Sequence, residues 1–250
     1  LGLVGSEMCI RDRFNTFATP SSLTKEASLK QMNPKMLTSF VDGTKTMVEM
    51  AALANFLGFN IDIDGMHGIE ATYENINQYY IPKKDGGLLD ESQVVDFAFG
   101  IAPGVFAVIY SEDDYVNYEM EYLKMGKGPY WTLARPYHLT SLEIPRTIRH
   151  IMLEKYSKLS AQSWNVEVVA HAKQDIEPGT NLGSIGGDYI YGKAQKTSSS
   201  KGLLPIGIAE DNVVTKAIAK GNPIAIDEVD AQDNELCEYW DYQNQILDSD

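Results

Sequence analysis

The stretch FVDGTKTMVEMAALANFLGF, residues 40–59, decides how the chain is read. Asp42-Gly43 marks a turn or a helix entrance, and Gly58 marks a stop. Between them TKTMVEMAALANFL (44–57) reads as a helix. Met47, Val48, Met50, Ala51, Ala52, Leu53, Ala54, Phe56 and Leu57 cover nearly all of its faces, so it is expected to be largely buried. Asp42, Lys45 and Glu49 stand at i, i+3 and i+7, on one stripe of that helix and its entrance. Charges on a helix that is otherwise apolar are either paired with one another or functional.

Working outward, Pro20 with Ser21-Ser22 starts a short helix over Leu23–Met32, and Asn33-Pro34 ends it. MLTSFV (36–41) is expected to be a short strand. DFAFGIAPGVFAVIY (96–110) reads as a strand pair, or as one strand bent at Pro103-Gly104. DYVNYEMEYLKMG (114–126) reads as a helix, and YWTLARPYHL (130–139) as a strand ending at Pro136. TSLEIPRTIRHIMLEKYSK (140–158) reads as a helix opened by a capping box of Thr140 and Glu143. From Ser163 the pattern changes to short strands and glycine turns, with Pro178-Gly179 as one turn.

The expected class is α+β: a catalytic domain of mixed sheet and helices over 14–162, then a small, mostly β domain over 163–230. Residues 231–250 are expected to be a solvated acidic tail. Residues 227–250 carry nine acids and no Lys or Arg, out of a net charge of −14.

Composition bounds the function. Hydrophobic residues are 44% and charged residues 22%, as in a globular chain. A net charge of −14 argues against nucleic acid as a partner. No run of about 18 apolar residues offers a membrane span, so a cytoplasmic location is expected. The two cysteines make neither a disulfide framework nor a zinc site. The opening run Leu3–Arg13 resembles one reading frame of a transposase adapter used in sequencing-library preparation. Residues 1–13, Cys9 among them, are therefore expected to belong to no fold.

A second polar group lies in LARPYHLTSLEIP (133–145). Arg135, Tyr137 and His138 end a strand just before a helix N-terminus, where free N–H groups and the helix dipole favour an anion. His150 and His171 are set aside, and the role of His67, in the turn DGMHG, stays open. GSIGG (183–187) lacks the strand and helix of a dinucleotide loop.

DGTKTMVEMAALAN and RPYHLTSLEIP resemble two segments of homoserine-dehydrogenase-like oxidoreductases, above all the deoxyxylulose phosphate reductoisomerase-like group. DIEPGTNL (175–182), LLPIGIAED and KGNPIAIDEV resemble a SAF domain. The resemblance implies an oxidoreductase using NADP or NAD on a small phosphorylated or carboxylated carbonyl or hydroxy substrate. It implies that a Rossmann domain outside this chain holds the dinucleotide, so that the chain by itself is inactive. Lys45 would be the proton donor, oriented by Asp42 and Glu49, and these two carboxylates would be the ligands of a divalent cation in a reductoisomerisation. Arg135, Tyr137 and His138 would bind the substrate's anionic group, converging with the Lys45 stripe on one cleft, and Asn55 would support it. A homo-oligomer is the expected assembly. The competing reading is a non-catalytic, sugar-binding SAF-type module.

Overall fold

The computed structural model describes residues 4–6, 14–101, 104–137, 141–155, 159–230 and 235–247. Helices and small separate sheets make it α+β. In chain order these are β1 (Val4–Ser6), α1 (Pro20–Leu29), α2 (Pro34–Val41), α3 (Thr44–Leu57), β2 (Ile69–Glu70), α4 (Ile76–Tyr79), β3 (Ala98–Phe99) and β4 (Val105–Tyr110). Then follow α5 (Asp114–Tyr122), β5 (Tyr130–Arg135), α6 (Ile144–Arg149), β6 (Val166–Ala172), β7 (Ile190–Lys196), β8 (Val213–Val214), β9 (Val229–Asp230) and α7 (Glu235–Leu247).

Residues 36–41, expected as a strand, are the body of α2. Asn33-Pro34, expected as a stop, opens α2; α1 has already ended at Leu29, with Lys30 as its C-cap and Gln31 at a left-handed φ of 52°. Asn33 Oδ1 accepts the Lys35 N–H at 2.9 Å, and Pro34 takes a first-turn position, where its missing N–H costs nothing. Leu37, Thr38 and Val41 then fall on one buried face, a helical spacing that overrides the β-branched composition.

Two compact units result, and neither is continuous in sequence. One gathers Val4–Ser6 with the described residues of Val48–Val166 and Ala194–Ser198. The other gathers those of Asp12–Met47, Glu167–Lys193 and Ser199–Asp250. Residues 14–47 group with the β-rich part.

In the first unit β4 is central, antiparallel to β5 with Phe106 opposite Ala134 and Val108 opposite Thr132. Phe106 and Val108, both 1% exposed, point inward from alternate positions of β4 and pack with Ile76, Tyr80, Leu89 and Ala98. β3 pairs in parallel with β2 and not with β4, so 96–110 is two strands of two sheets rather than a hairpin. Val4–Ser6, expected to take no part in the fold, pairs antiparallel with Val105–Ala107. The edge of β4 opposite β5 presents free N–H and C=O groups, which accept any short extended segment.

Residues 141–154 do not form one regular helix. A 3₁₀ turn at Ser141–Glu143 leads into α6, which ends in a π turn at His150–Glu154. No residue of these turns is buried, so no apolar contact enforces a regular helix. Glu143 gives its carboxylate to Arg135; the expected capping box rests on Thr140, which lies outside the described residues.

In the second unit β6 pairs with β7, and β8 with β9 antiparallel. Val168, Val169, Ala170, Ile190, Leu204 and Ile224 are among its buried residues. Residues 203–226 contain no long helix, only β8 and short 3₁₀ turns, as the glycine-punctuated pattern predicts. Part of the segment expected as a solvated tail is helical, as α7, and Leu236, Tyr239 and Tyr242 on it are exposed. Among the described residues no helix is long and apolar enough to cross a membrane.

Candidate functional site

The entrance of α3 is a tight corner. Asp42 caps α2, and Gly43 adopts the left-handed φ of 86° that reverses the chain into α3. A Cβ at Gly43 would meet the Phe14 ring, so both conformation and space require glycine here. The expected burial of α3 holds: of its residues only Val48 is exposed, at 41%.

Asp42 does not pair with Lys45. Its Oδ1 accepts the Thr44 N–H at 2.8 Å, and its Oδ2 faces Lys173 Nζ at 2.8 Å. The Lys173 and Asp42 side chains are 1% and 0% exposed. Lys173 also donates to the Gly187 carbonyl at 2.7 Å, and the Gly192 N–H donates to Thr44 Oγ1 at 2.8 Å. Burial pushes the Asp42 carboxyl up and the Lys173 ammonium down, each partly opposed by the other's charge. Lys45, half-buried, holds its ammonium over the Phe40 ring, 4.5 Å from the centroid.

Asp42 therefore does not fit as a ligand of a divalent cation. Both Asp42 oxygens are taken, one by a backbone N–H and one by an ammonium standing where a cation would stand. Among the described residues no three His, Cys, Asp or Glu side chains are gathered to hold a metal ion. Nor does GSIGG (183–187) form a dinucleotide loop. GSIGG runs into β7 and not a helix, Gly187 gives its carbonyl to Lys173, and Gly186 packs on the Lys35 carbonyl.

Asn55 holds backbone. Its Nδ2 donates to the Val166 carbonyl at 2.9 Å, and its Oδ1 accepts the Asn165 and Val166 N–H groups at 2.9 and 3.0 Å. It clamps the start of β6. Arg135, at the end of β5, pairs with Glu143 at 2.8 Å; that carboxylate raises the guanidinium's pKa further. Tyr137 is 60% exposed. His138 lies outside the described residues, and with it the expected convergence on Lys45.

The sequence reading left His67 open and missed its partners. Its Nδ1 lies 2.9 Å from Asp96 Oδ2 and its Nε2 3.5 Å from Asp62 Oδ2, both carboxylates being buried. Asp96 also accepts the N–H groups of His67, Gly68 and Phe97 and the Tyr80 hydroxyl. This is a backbone nest built around one anion. The hydrogen bond to Asp96 holds the imidazolium of His67 above the ordinary histidine range; burial and Lys83 oppose it, and the Asp96 and Asp62 charges add to it. Burial and the Asp96 charge push the Tyr80 hydroxyl up. Tyr80 also lines a cavity of about 560 Å³, with Lys83, Lys84, Asp85, Tyr110 and Tyr130 among its other walls. That is the size of a small-molecule site.

Small sheets with helices, a buried charged helix entrance in one unit and a carboxylate–histidine cluster in the other each suit a catalytic domain. The family model of the oxidoreductase DRL catalytic domain matches residues 6–144. The chain belongs to that family, and its class is that of an oxidoreductase. No curated protein matches it.

Proposed function

We propose that the chain is the substrate-side portion of an oxidoreductase that uses NADP or NAD on a small phosphorylated or carboxylated carbonyl or hydroxy compound. The family match over residues 6–144 carries this reading, because it covers both polar segments, Asp42–Glu49 and Arg135–His138. The same match disfavours a sugar-binding module, which would rest on residues 163–230 alone. The β-rich segment over those residues is read as a SAF domain on its glycine-turn pattern. The dinucleotide supplies or accepts the hydride and is held by a separate domain.

Lys45 is the residue placed for proton work. Its ammonium lies over an aromatic face, while Asp42 is committed to Lys173. In this reading it donates to, or polarises, the substrate oxygen on which charge develops. Arg135 binds the substrate's anionic group together with His138. The anion displaces Glu143 from the guanidinium, a light task for an exposed pair.

The test is oxidation of NADPH or NADH with deoxyxylulose phosphate and aspartate semialdehyde as probes. It is run on the chain alone and on the chain joined to its dinucleotide-binding domain. Turnover is expected only in the joined protein, with Lys45→Met lowering kcat by about 10²–10⁴-fold. Turnover by the chain alone, or an unchanged kcat in Lys45→Met, would overturn the reading.

A further inference from the structure

We propose that Lys173 is a positioning residue of the active site: its buried ion pair with Asp42 fixes the head of α3 and so the direction in which Lys45 presents its ammonium. The proposal rests on the reading of Lys45 given above. It assigns a part in the reaction to a residue outside the segment that the family model matches.

The geometry has three parts. First, α2 and α3 are joined through Asp42 and Gly43 alone, so the orientation of Asp42 sets where α3 starts. Second, two contacts from the β6–β7 part reach the corner, and a third holds Lys173 in place for one of them. Lys173 meets Asp42 at 2.8 Å and the Gly187 carbonyl at 2.7 Å, and the Gly192 N–H meets Thr44 Oγ1 at 2.8 Å. Third, Lys45 follows Thr44 directly and lies against Phe40 of α2, so any swing of the corner moves its ammonium.

Stability alone is a poor reason for this pair. Two charges withdrawn from water recover their desolvation cost only in part, and apolar pairs of similar volume often serve a fold as well or better. Direction is what the pair supplies. The ammonium has a fixed approach to one carboxylate oxygen while the other oxygen is held by the Thr44 N–H. A displacement of about 1 Å at a reacting group is enough to cost roughly 10²-fold in rate.

The experiment uses the joined protein and the same cofactor-oxidation assay. The double variant Asp42→Asn/Lys173→Met removes both charges together, so no buried charge is stranded. The expected result is a melting temperature close to wild type, a kcat lowered by about 10- to 100-fold, and a KM changed less than threefold. A purely structural role would leave kcat at the wild-type value once the fold is kept, and that result overturns the proposal. If the double variant does not fold, Lys173→Gln gives the same test. Its amide still donates to Asp42 or Gly187 but has no charge, and full kcat in that folded variant likewise overturns the proposal. The two readings fail separately. Full activity in the double variant with loss in Lys45→Met removes only the positioning role, whereas full activity in Lys45→Met removes the assignment of Lys45 itself.

Discussion

Asp42–Lys173 and Arg135–Glu143 are ion pairs of the same 2.8 Å length in opposite surroundings. The first has both side chains at 1% exposure or less; in the second they are 49% and 34% exposed. Length therefore says nothing about what each does. In water the attraction of an exposed pair is screened and offset by side-chain entropy, so the net is about 0–1 kcal/mol. In the interior, removing one partner strands a charge that has no other way to be solvated. One pair is a fixed joint of the fold, and the other is a contact that a substrate anion can displace.

The largest effect that would sharpen this contrast is on the buried pair. Lys173→Met alone should lower the urea-unfolding free energy by about 3–5 kcal/mol. A loss under about 1 kcal/mol would mean that Asp42 finds another partner or takes up a proton, and the contrast would break. Next comes Asn55→Ala, which strips the Val166 carbonyl and two N–H groups of their partner. The expected loss is about 2 kcal/mol, measured in the same titration. Retained stability would mean that water reaches the start of β6.

A third effect depends on pH. The pKa of His67 is raised above its usual 6.5 in the folded state, so its contribution is fully present below about pH 6.5. It is lost as pH rises through the higher folded value, where two buried carboxylates are left facing a neutral ring. The wild type should therefore lose stability from pH 6 to 9 relative to His67→Gln. Parallel melting curves for the two proteins would show that the ring is not charged in the cluster. Smallest of all, Arg135→Ala should leave the melting temperature close to that of the wild type. In the joined enzyme it should raise KM for an anionic substrate more than it lowers kcat.

Much of the fold was legible because the signals are local. Gly58 closes α3, and the β-rich run from 163 is broken by turns as its glycines require. Where one signal has two meanings, the reading went wrong: Asn33-Pro34 reads as a stop but acts as a start, and the strand expected over 36–41 is a helix. The candidate site was half legible. Asp42 stands out as an acid at the entrance of an apolar helix, and it is buried as such a residue must be if it is partnered. Its partner was taken to be Lys45, three residues on, because only neighbours are visible along a chain. Lys173 sits in an alternating strand run, HAKQDI, where a lysine reads as an ordinary outward residue. The His67 cluster was hidden for the same reason: its ring joins acids on both sides in sequence, and Asp96 lies 29 residues away.

The corner between α2 and α3 also has a consequence in time. Thr44 and the Gly192 N–H that bonds to it are 148 residues apart. At ribosomal rates of roughly 5–20 residues per second, the helix entrance waits about 7–30 s for its strand partner to emerge. Throughout that interval Asp42 must stay hydrated and the largely apolar α3 has no finished face to dock on. The nascent chain therefore carries an unfinished helix entrance through that interval, and slowing translation beyond Leu57 should lengthen its dependence on chaperones.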